Sequence, residues 1–189
     1  MNFLAHAFLS GENEAILAGN FLGDFIKGRE HEKYPEGIQK GVRLHREIDF
    51  YSDNHPVFRE SRLLLVDKYR HYSGVIVDMF YDHFLAIHFS KYSQVPLKDF
   101  TTSVYSSVEK QFPELPGKAK HVFPFMKHDD WLFHYSKVEG LERALQGMSR
   151  RTKFDIQMGE SVQELKEHFE NFENHFFEFF EEIQKHLKS

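Results

Sequence analysis

The sequence predicts an all-α fold, a single-domain bundle of about seven to nine helices spanning residues 1–189, and three observations carry that reading. Apolar residues recur at steps of three and four almost throughout, the period of a helix with one buried stripe. Sustained period-two alternation between hairpin turns is missing. Glycine and proline fall at the joints between the periodic stretches.

In chain order the periodicity predicts helices over 2–9, 13–27, 36–52, 56–71, 74–90, 97–112, 117–133, 137–148 and 159–187. Gly28 ends the second and Pro35 opens the third; Pro56, following Asn54 and His55, opens the fourth. Ser73 with Gly74, then Pro96, then Pro113 with Pro116 separate the later ones. In the last segment Ser161 with Glu164 three residues on has the form of a capping box. A stripe through Leu165, Phe169, Phe172, Phe176, Phe179, Phe180 and Ile183 then predicts a long packing helix, set against the core or across a homodimer. Its glutamates, with His168, His175 and His186, read as a solvated face.

Composition narrows the chemistry. The chain has no cysteine, which excludes a disulfide framework, a thiolate nucleophile and a thiolate metal site; a metal would need histidine, carboxylate or amide oxygen. A formal net charge of -5 argues against a protein that coats nucleic acid. The opening MNFLAHAFLSGENEA lacks a basic n-region, and no stretch approaches the roughly 18 uninterrupted apolar residues of a membrane span, so a cytoplasmic protein with no membrane partner is expected. Neither a phosphate-binding glycine loop nor a G-x-S-x-G elbow is present.

Four pairs of polar residues stand four apart among apolar neighbours: Asn2 and His6, Asn20 and Asp24, His45 and Asp49, Asp78 and Asp82. On helices each pair shares one face, and burying carboxylates or imidazoles there demands a metal, a proton or a partner. His45 and Asp49 could supply two ligands to one divalent ion, or the carboxylate could orient the imidazole as a base; a plain core hydrogen bond is the alternative. Asp78 and Asp82, followed by His83, favour a bound cation or one raised pKa, against an ion pair with Arg43, Arg46 or Arg70. Gly19 and Gly23, each one residue before Asn20 and Asp24, read as a close helix crossing. Hard oxygen and imidazole ligands suit manganese, magnesium or iron and activation of water for attack on phosphorus.

The motifs MNFLAH, GNFLGDFIKG, LHREIDFYSDNHP and the DHF within MFYDHFLAIHFS, with the later DDWL and GMSRR, resemble those of the acyl carrier protein phosphodiesterase (acyl carrier protein hydrolase) family. The resemblance runs from residue 1 into the final helix. It implies an HD-domain-like helical fold, a divalent metal with manganese first, and hydrolysis of the phosphodiester joining 4'-phosphopantetheine to a serine of holo acyl carrier protein. It also implies a ligand set drawn from His6, Asp24, His45, Asp49, Asp78, Asp82 and His83, with Asp24 indispensable. Here the doublet reads Asp82-His83, opposite to the His-Asp order of ordinary HD domains. Asp24, His45 and Arg46 are the expected catalytic residues, Arg43 or Arg46 meeting the nonbridging oxygens. Arg150, Arg151 and Lys153 form a candidate docking patch for the carrier, and Asn2 and Asn20 stand as supports behind the ligands. Two other classes fit the same residues: a phosphohydrolase of a nucleotide or small phosphoester, and a helical binding module without catalysis.

Overall fold

A computed structural model describes residues 1–152 and 154–188, and the described residues are helical with no strand. The helices are α1 (Phe3–Leu9), α2 (Glu14–Leu22), α3 (Glu36–Asn54), α4 (Pro56–Leu63), α5 (Val66–Tyr69), α6 (Ser73–Ile87) and α7 (Phe89–Tyr92). They continue as α8 (Leu97–Lys110), α9 (Gly117–His128), α10 (Trp131–His134), α11 (Val138–Ser149), α12 (Val162–Glu167) and α13 (Phe169–His186).

The helices are shorter and more numerous than the periodicity predicts, because single residues break four of the expected ones. His88 and His168 leave the helical region at φ -104 and -113. Asp130 takes a left-handed conformation, φ 45, that separates α9 from α10; Lys98 pairs with its carboxylate and Thr101 donates to it, which offsets the strain. Between α4 and α5 the chain turns so that Leu65 enters the core. None of these residues is glycine or proline, so the apolar period runs through the breaks unmarked.

The core is built on α6 and α13. Ile76, Val77, Met79, Phe80 and Tyr81 of α6 and Phe172, Phe176, Phe179, Phe180 and Ile183 of α13 have no solvent exposure. Phe80 meets Phe172 edge-on at 5.0 Å between ring centres, a favoured aromatic geometry. The Phe-rich stripe thus packs internally. The polar side of α13 is exposed at Glu170, Glu178, Glu181, Glu182 and His186, the solvated face expected of it, and it also ties to other helices: His175 bonds Ser61 on α4 and His186 pairs with Glu47 on α3. Glu182 and Glu173 receive His55 and His88. Ser161 donates its hydroxyl to the Met158 carbonyl and makes no side-chain cap.

Two contacts position the site. First, α2 crosses α3 with almost no separation. A methyl group added at Gly19 would lie 2.2 Å from the Ile38 carbonyl oxygen, and one at Gly41 2.1 Å from that of Ile16, so main chain packs on main chain. Second, Asp82 in the middle of α6 accepts from the backbone N–H groups of Asn2, Leu4 and Ala5 at 3.3, 2.8 and 3.1 Å. Those donors open α1 and have no partner within it, and the carboxylate also answers the positive end of the helix dipole. Asn2 adds its own side-chain oxygen to the Phe3 N–H.

Replacing Asp82 with alanine strands these N–H groups in the core and is expected to cost about 3 kcal/mol, with Asp82→Asn losing less because an acceptor remains. Urea unfolding followed by circular dichroism measures both.

Candidate metal centre and adjoining cavity

The glycine crossing lets three helices meet on one amide. Asn20 of α2 lies fully buried with its side-chain oxygen 2.8 Å from His6 Nδ1 and 3.2 Å from His45 Nδ1. Its NH2 group is committed to the His6 carbonyl and Ser10 Oγ, both at 2.9 Å, which fixes the oxygen toward the two rings. The imidazoles stack at 4.1 Å. His45 has room because position 23 is glycine: a methyl group there would lie 2.1 Å from the ring.

An amide oxygen only accepts, so both Nδ1 atoms carry hydrogen and both Nε2 atoms point the other way. There they converge on Asp49: His6 Nε2 lies 3.2 Å from Oδ1 and His45 Nε2 3.1 Å from Oδ2. Burial drives the His6 pKa down to about 4, so its Nε2 is a bare lone pair facing a carboxylate and, at 3.1 Å, the Met1 carbonyl. Lone pairs facing lone pairs form an electron-rich recess that accommodates a cation. His6, His45 and Asp49, with donor atoms within 4.8 Å of one another, could hold a metal ion, and the amide behind both rings is the kind of outer support that metal-ligating histidines have.

Beside this cluster opens a cavity of about 860 Å³, lined by Met1, Phe3, Asp24, Phe25 and Asp78 together with residues of α10 and α11. Asp24 joins the two, half-exposed in the cavity wall with its carboxylate 3.6 Å from His45 Nε2. Asp78 also lines the cavity, where the chain's terminal amine meets its carboxylate at 2.6 Å. Burial pushes the Asp78 carboxyl up despite that amine.

The other expected site residues are employed elsewhere. Asp82 does not reach the cluster, because it caps α1; burial pushes its carboxyl up to about 7, with the Leu4 and Ala5 N–H groups pulling against that. His83 points away and donates Nδ1–H to the Tyr135 carbonyl at 2.7 Å. The Asp78 and Asp82 carboxylates thus meet the terminal amine and a helix end, and among the described residues no arginine pairs with either. Arg46 extends to the Gly28 and Ile26 carbonyls, at 2.7 and 3.4 Å, and closes the loop after α2. Arg43 lies exposed on α3 beside Gln39. Asn2 caps α1 and bonds Met79 Sδ, so it stands behind Asp82, not behind the ligands. Arg151 lines the cavity and Arg150 does not; Lys153 lies outside the described residues. Sequence reasoning passed over Arg143 and His134, which also line the cavity. The spacing of Gly140, Arg143, Ala144, Gly147 and Arg151, one face of a helix, was the signal for the first.

No helix among the described residues is long and apolar enough to cross a membrane. The family model for acyl carrier protein phosphodiesterase matches residues 1–183. A protein named acyl carrier protein phosphodiesterase from Escherichia coli O45:K1 (strain S88 / ExPEC) is 33% identical over 171 residues, 89% of this chain and 88% of that protein. Its namesake from Enterobacter sp. (strain 638) is 32% identical over the same shares. No solved structure matches the chain. On the span of the family match and these identities, the chain belongs to the acyl carrier protein phosphodiesterase family.

Proposed function

We propose that this protein hydrolyses the phosphodiester that joins 4'-phosphopantetheine to a serine of holo acyl carrier protein, releasing apo acyl carrier protein and 4'-phosphopantetheine, with the help of a divalent cation. Family membership supports the substrate. The observation that carries the metal is the pair of Nε2 atoms turned by one amide onto one carboxylate at the edge of a cavity. The likeness to helical HD-type phosphohydrolases is part of the same reading, as are the single domain and the cytoplasmic location.

His6, His45 and Asp49 would hold the ion, manganese in the first place, with magnesium and iron as the alternatives that imidazole and carboxylate donors also suit. A divalent cation there would supply the Lewis acidity that activates water for attack on phosphorus. Asn20 keeps both imidazoles in the tautomer that offers Nε2. Asp24 stands where the cluster meets the cavity and can hold a proton at its carboxylate for the departing serine oxygen. The arginine that meets the phosphate is Arg151, because the guanidinium of Arg46 is held by loop carbonyls. Asp78, also in the cavity wall, is a further carboxylate toward the same ion.

Holo acyl carrier protein incubated with manganese-loaded enzyme is expected to lose the mass of phosphopantetheine, while a panel of nucleotides and small phosphoesters stays intact. Turnover of the panel with an unchanged carrier mass would transfer the activity to a small phosphoester. Asp24→Asn is expected to lower kcat by about 10²–10⁴-fold with bound manganese retained, as measured by plasma mass spectrometry beside the assay. Asn20→Ala is expected to weaken manganese binding about 10–100-fold in a chelator competition, because the rings lose their fixed tautomer.

A further inference from the structure

Besides the carboxylates of Asp24, Asp78, Asp129 and Asp130, the cavity is lined by positive charge. Arg143 and Arg151 both line it, two helical turns apart on α11 and the turn that continues it, and neither makes an ion pair with a described residue. The Arg151 Nε–H reaches the Gly147 carbonyl at 3.2 Å, which holds the side chain along the helix and leaves the end of the guanidinium free of that bond. Between the arginines stand Ala144, Gly147 and the longer apolar Met148, and below them Gly140, all lining the same cavity. His134 on the adjoining α10 also lines it, with a buried Nδ1 that has no partner among the described residues.

Resting on the activity proposed above, we propose that this α11 face is the substrate-positioning wall: Arg143 and Arg151 take the anionic phosphodiester and hold it toward Asp24, and Ala144 and Gly147 leave the slot for the arm that carries it. The chemistry follows from the substrate. A phosphodiester keeps one negative charge at neutral pH, and a planar guanidinium meets two of its oxygens at once, which a lysine cannot do. The phosphodiester is also attached to a folded protein, too large to enter. It reaches a recess behind a cavity only on a slender link, and Ala144 and Gly147 between the arginines, with Met148 as the one longer apolar side chain beside them, leave room for one. Gly147 is the telling position. A methyl group there would find only the Arg151 guanidinium, at 3.9 Å, so the glycine is not required by packing. Gly140 differs, since a methyl group there would lie 2.1 Å from the His134 carbonyl oxygen.

Steady-state hydrolysis of holo acyl carrier protein by manganese-loaded wild type, Arg143→Ala, Arg151→Ala, the double variant and Gly147→Phe tests the wall. Each arginine variant is expected to raise KM about tenfold, the double variant more, with kcat changed far less and part of the loss restored by lysine at the same position. Gly147→Phe fills the slot and is expected to lower kcat/KM about tenfold or more, with metal content and melting temperature kept. Wild type that hydrolyses the carrier, with the double variant and Gly147→Phe both within about twofold of it, overturns the wall and leaves the activity standing. Wild type that leaves the carrier intact overturns the activity, and the wall with it.

Discussion

One carboxamide organises the centre of this protein. Asn20 accepts from two imidazoles and donates to a carbonyl and a hydroxyl, so all of its polar capacity is used inside a core that admits no water to it. A buried amide so fully engaged has one orientation, and that orientation decides which nitrogen of each histidine remains open. Move the amide and the recess in front of Asp49 has no defined character. It stays where it is because α1, α2 and α3 are locked on it from three directions, α1 by its cap on Asp82 and the other two by their glycine contact.

The i, i+4 pairs were legible in the sequence, and so was the helical class, because both depend on side chains that the sequence names. Less legible were the main-chain partners. Asp78 and Asp82 sit one turn apart on a buried helix, and like charges so placed suggest a shared cation. The structure answers each separately, one with the terminal amine and the other with the N–H groups of α1. Backbone donors carry no letter in a sequence. Arg46 is the mirror case, a cation one position from His45 whose guanidinium is held by two carbonyl oxygens. The same blindness explains the broken helices, since His88, His168 and Asp130 turn the chain without the glycine or proline that usually announces a turn.

Histidines serve two different ends in this structure. Of those on the final helix, His175 and His186 are engaged with α4 and α3, and His55 and His88 reach onto the same helix to meet glutamates. Those contacts are fasteners on the outside of an aromatic core. His6 and His45 differ in one respect: each donates through one nitrogen to an amide and offers the other to a carboxylate beside a cavity. Number and spacing do not separate the two kinds; the partner behind the ring does.

The contact between α2 and α3 limits how this chain can vary. A joint made from side chains adjusts through rotamers, so neighbouring residues can exchange volume over evolutionary time. Where a helix rests directly on the carbonyls of another, there is no such play: Gly19 against Ile38 and Gly41 against Ile16 fix the stagger of the two helices as a key fixes a shaft. The distance between Asn20 and His45 is therefore written in the main chain, and drift in the surrounding apolar residues is free to proceed without disturbing it.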